Sequence, residues 1–61
     1  MEKLYETNNR SLAEETVYVT EQRGESDDEV EFVSNRSLAD KMVLVTRQRG
    51  NADRIVYATD R

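Results

Sequence analysis

The sequence predicts an all-β domain of five short strands in meander order. It reads as two tandem β-turn-β repeats with one-turn helical connectors, forming a curved sheet or half-barrel. Three observations carry this. First, "NRSLAEETVYVTEQRG" at residues 9–24 returns as "NRSLADKMVLVTRQRG" at residues 35–50, an offset of 26 with 11 of 16 positions identical. Second, the chain is punctuated by β-branched and aromatic runs of strand length. Third, 61 residues with 36% hydrophobic content, no Cys and no Trp make one small domain with little apolar material for a core. The expectation is therefore a sheet completed by a second subunit.

The strands are taken in chain order. "KLYET" (3–7) and "VEFVS" (30–34) alternate apolar and polar residues, as half-buried strands do. "TVYVTEQR" (16–23) and "MVLVTRQR" (42–49) are repeat partners, apolar on both faces at their centres and therefore covered on both sides. "RIVYAT" (54–59) is the fifth strand, phased by aligning Phe32 with Tyr57. The single domain spans residues 1–61, with repeat 1 at about 4–29, repeat 2 at about 30–55 and a partial third copy at 56–61.

Between strands, Ser11 with Glu14 and Ser37 with Asp40 fit a capping box, predicting one helical turn in each connector. Leu12 and Leu38 are expected to fold down as plugs. Gly24 and Gly50 are the only glycines, and a positive φ at the entry to a hairpin is their expected role. The expected core is Leu4, Leu12, Val17, Val19, Val30, Phe32, Leu38, Val43, Val45, Ile55 and Tyr57.

The two copies differ most in charge. Glu15, Glu21 and Asp28 are replaced by Lys41, Arg47 and Arg54 at the matched positions, and Glu25 by Asn51. Residues 1–33 hold ten acids and three bases, whereas residues 34–61 hold three acids and six bases. Glu15, Glu21, Asp28, Lys41, Arg47 and Arg54 are accordingly the candidate self-association or partner-binding residues. They act either by pairing within the chain, with Glu21 and Arg47 foremost, or between two copies. Arg36 and Arg49 are candidate anion contacts.

Catalysis lacks parts, because there is no His for general base work and no Cys nucleophile. No catalytic residue, metal site or cofactor is assigned. The acidic run "ESDDEVE" does not have the spacing of a calcium loop and reads as a solvated hairpin tip. With a net charge of −4, nucleic acid is an improbable partner. The longest apolar run, residues 42–45, is too short to span a membrane, and the expectation is a soluble, cytoplasmic protein. Length and strand content resemble those of small dimeric β proteins, such as carbon-storage-type RNA regulators and swapped-hairpin transcription factors. None of their motifs is present, and nothing is carried over from them.

The expected function is a non-enzymatic, self-associating binding or interaction module with charge-complementary halves, a homodimer above all, with a protein partner as the other prospect. Two alternatives come from other classes: a nucleic-acid-binding regulator of the dimeric β-ribbon kind, and a small acidic inhibitor, of the type phages encode, of another protein.

Overall fold

A computed structural model describes all 61 residues, and its regular secondary structure is five strands and three short 3₁₀ turns. The five strands are β1 (Glu2–Glu6), β2 (Glu15–Thr20), β3 (Asp28–Phe32), β4 (Lys41–Thr46) and β5 (Arg54–Ala58). The strand count and positions match expectation, but the pairing does not. The strands close into a barrel in the order β1-β3-β5-β2-β4, and every pair is parallel. There is no meander, no hairpin and no open half-barrel. Consecutive strands do not touch edge to edge, so the β-turn-β unit does not exist as a paired motif. Short polar loops suggest hairpins only because a parallel crossover ordinarily needs a dozen or more residues.

The register explains how connectors of seven or eight residues suffice. Neighbours pair at an offset of 28, as in Glu2 with Val30, or 37, as in Leu4 with Lys41. The five fully buried residues, Leu4, Val17, Val30, Val43 and Val56, recur every 13 residues. An offset of 28 is two such spacings plus two, and 37 is three minus two. Every neighbour is thus displaced by the same two residues, and one circuit of five strands shears the register by ten. With 3.3 Å per residue and strands about 4.8 Å apart, that shear tilts the strands by roughly 55° from the axis. A five-residue strand then climbs only about 10 Å, a distance that a short connector can reverse.

Each connector runs back down the outside of the strand lying between the two that it joins. Residues 7–14 cross β4, with the Thr7 and Glu14 amides donating to the Val43 and Met42 carbonyls at 2.9 and 2.8 Å. Residues 21–27 cross β5, 33–40 cross β1, and 47–53 cross β2. The chain therefore advances two places each time, in one direction, and winds more than one and a half times round the barrel.

All four connectors share one construction at a spacing of 13. The Leu12, Glu25, Leu38 and Asn51 amides each donate to the carbonyl three residues back at 3.0 Å. The helical turns are thus 3₁₀ turns, and they also occupy the two segments expected as hairpin loops. The cap is not serine. Asn9 and Asn35 accept from the amides of Ser11 and Ser37 at 3.0 Å, and from their hydroxyls as well.

The carboxylates of the expected capping box go elsewhere. Asp27, Asp40 and Asp53 each donate an amide to a carbonyl of the crossed strand at 2.7 Å. Their side chains accept the amide of that same residue (Ile55, Lys3 and Thr16) at 3.0, 2.8 and 2.9 Å. Glu14 clasps Met42 in the same way. No glycine has a positive φ, and a Cβ at Gly24 or Gly50 would meet nothing, so neither backbone nor packing accounts for them. Ser11 and Ser37 fill the matched places.

Inside, alternation along each strand gives three layers of five. The middle layer is Leu4, Val17, Val30, Val43 and Val56, and each side chain buried there contributes about 1.5–3 kcal/mol. Towards the strand C-termini lie Phe32 and Ala58, both buried, and the partly buried Val19 and Val45. The expected core is corrected at two places. Leu12 and Leu38 are 42% and 58% exposed, because the 3₁₀ turns that carry them stand on the outer surface. Val56 and Ala58 are the inward residues of β5, not Ile55 and Tyr57. Phe32 is matched by Ala58 at the true offset of 26, and a one-residue slip turns a strand over.

Candidate functional site

The third interior layer closes the barrel at the N-terminal ends of the strands, and it is fully ionic. Its members, Glu2, Glu15, Asp28, Lys41 and Arg54, again stand 13 apart. Arg54 lies at its hub. Its guanidinium makes a bidentate pair with Glu2, Nη1 to Oε1 at 2.8 Å and Nη2 to Oε2 at 2.9 Å. It also donates to Glu15 Oε2 at 2.6 and 2.9 Å, and to Asp28 Oδ2 at 2.9 Å. Lys41 Nζ lies 3.9 Å from Glu15. The side chains of Arg54 and Glu15 are only 17% and 15% exposed, so water screens this cluster less than an ordinary surface pair. The hydrogen bonds to Glu2 do most to raise the Arg54 pKa above its ordinary value. Burial opposes them, and Glu15 and Asp28 add to the rise.

Of the six sequence-derived partner-binding candidates, Glu15, Asp28, Lys41 and Arg54 meet in this layer, together with Glu2, which the sequence reading missed. Its thirteen-residue spacing was the available signal. Glu21 and Arg47 are exposed beyond the ends of β2 and β4, and neither forms an ion pair. The two charge halves do not separate in space, because the strands that carry them interleave around the barrel. Lys41, Arg49, Arg54 and Arg61 all pair with acids of the first half.

The outer belt carries the arginines. Arg10, Arg23, Arg36 and Arg49 open the four connector turns, again at a spacing of 13. Arg23 and Arg49 lie over the rings of Tyr57 and Tyr18, 5.1 and 5.5 Å from their centroids. These two arginines give β5 and β2 an outer cover. Arg49 also bonds Glu25 at 2.7 Å, which raises its pKa against the effect of burial. As an anion contact, Arg49 is therefore already occupied, whereas Arg36 has no ion pair. At the opposite mouth from the ionic layer, Arg61 covers the Phe32 ring at 3.9 Å and pairs with Glu6 at 2.9 Å. No group of His, Cys, Asp and Glu side chains is placed to hold a metal.

The whole of residues 1–61 matches the sequence model of a family described as the 7(1) septoil knot domain. No curated protein and no solved structure matches the chain.

Proposed function

The chain belongs to the 7(1) septoil knot domain family, and from that premise we propose that it is a non-enzymatic, self-associating interaction module, a wound barrel that presents its outer belt to a second copy. One observation carries the reading. Leu12 and Leu38 are large apolar side chains left 42% and 58% exposed, at equivalent places on neighbouring connectors, those crossing β4 and β1. Being repeat equivalents, they suit a two-fold contact in which Leu12 of each copy meets Leu38 of the other.

Closure of the barrel favours this surface over an edge, since no strand is left to extend a sheet. It also leaves no free two-stranded ribbon for a nucleic-acid groove. Because the opposite charges are largely paired within the molecule, the association is expected to rest on apolar contact and to resist salt.

Sedimentation equilibrium at low and high salt tests the reading. The expected result is a salt-resistant dimer that the double substitution Leu12→Ser, Leu38→Ser converts to a monomer with an unchanged fold. A monomeric parent at millimolar concentration, or a dimer indifferent to both substitutions, overturns it.

A further inference from the structure

The repeated belt provides its own internal control for a binding site. Beside each connector arginine the repeat can supply an acid from two places, the next connector round the barrel, where one is present, or the next strand. For Arg49 the first place holds Glu25, which bonds it at 2.7 Å. For Arg23 the second place holds Glu29, at 3.2 Å. For Arg36 the two places hold Leu12 and Met42, both apolar. For Arg10 they hold Asn51 and Thr16, polar and uncharged.

Arg10 therefore has no ion pair, and it lines an open cleft of about 510 Å³ with Thr16, Thr46, Asn51, Leu44 and Val45. The Thr16 hydroxyl has no partner within the protein, and Asn51 uses one amide hydrogen on Gln48 Oε1 at 2.7 Å. Thr46 Oγ1 accepts the Gln48 amide at 3.1 Å and donates to the Gln48 carbonyl at 3.5 Å, a long contact that a bound anion can replace by rotation of the hydroxyl.

We propose that this cleft binds a carboxylate bearing a short aliphatic group. The carboxylate takes the place that Glu25 takes beside Arg49, and its tail lies against the outward-facing Leu44. A fork of guanidinium donors with nearby hydroxyl and amide donors matches a planar carboxylate. The aliphatic Leu44 side chain favours an acid with a tail over a bare oxyanion. The site stands apart from the self-association reading, because it involves neither Leu12 nor Leu38.

Amide and Arg side-chain NMR of the full chain, titrated with butyrate, tests the assignment. Saturable shifts are expected at the Arg10 Nε–H, Thr16, Thr46 and the Asn51 side-chain amide. Asn51→Glu places the missing acid beside Arg10 and is expected to weaken binding about tenfold or more, while Asn51→Gln retains it. Thr16→Glu, which mimics Glu29, serves the same purpose should Asn51→Glu fail to fold. N-acetylvaline separates the sources: tighter binding than butyrate points to a polypeptide C-terminus, and equal or weaker binding to a free small acid. Absence of saturable shifts, equal binding by the acidic variants, or tighter binding of inorganic phosphate overturns the proposal.

Discussion

Arg54 is the residue whose surroundings constrain it most. It satisfies three carboxylates at one mouth of the barrel, two of them through paired contacts. Removing it leaves Glu2, Glu15 and Asp28 facing one another with Lys41 as the only remaining cation. Arg54→Ala is expected to lower stability by about 2–4 kcal/mol in urea denaturation. Arg54→Lys should recover only part of the loss, since an ammonium cannot reproduce the bidentate fork. The raised pKa of Arg54 gives the sign on the alkaline side: as pH rises, its contribution holds while arginine is charged and is lost above that range. In the sequence this layer shows as the reversals Glu15 to Lys41 and Asp28 to Arg54, whose side chains lie together within the chain. The matched pair Glu21 and Arg47 makes no such contact. Which matched positions meet depends on which face of the strand they occupy, and that phase is invisible until the barrel closes.

At the scale of the element, the four clasps from Glu14, Asp27, Asp40 and Asp53 are what make a crossing this short hold its place. Each joins the end of a connector to a strand far away in sequence, at 2.7–3.1 Å in both directions. Asp40→Ala is expected to cost about 1 kcal/mol in the same assay, whereas Asp40→Asn, which keeps an oxygen for the Lys3 amide, should cost less. All five strands were legible, each end to within three residues, because β-branched and aromatic composition is a local property. Their partners were not, because nothing local distinguishes a connector that turns back beside its strand from one that crosses over another. The alternation of "NRSLA" with "QRGES" and "QRGNA" made the offset of 26 conspicuous and hid the thirteen-residue period within it. Arg10, Arg23, Arg36 and Arg49 mark that period most plainly.

For the molecule as a whole, the order of laying down is the difficulty. The connectors at 7–14 and 21–27 lie outside β4 and β5, strands that follow them in the chain, while those at 33–40 and 47–53 lie outside β1 and β2, which precede them. No sequential stacking of strands produces that arrangement, so part of the chain must pass beneath a segment already in place. Every strand pair is also remote in sequence, which slows folding in its own right. Refolding from urea, followed by Tyr fluorescence, is expected to show a dominant phase of seconds or longer despite the small size. Because the chain has no proline, that phase must be insensitive to a prolyl isomerase; a millisecond single phase would overturn the expectation. The same winding decides how such a protein is dismantled. A motor that draws a polypeptide end-first through a narrow pore peels most small domains strand by strand. Here traction on either end draws the outer segments down onto the strands beneath them, so the load cinches the barrel before it opens it, and the chain resists being reeled in out of proportion to its 61 residues.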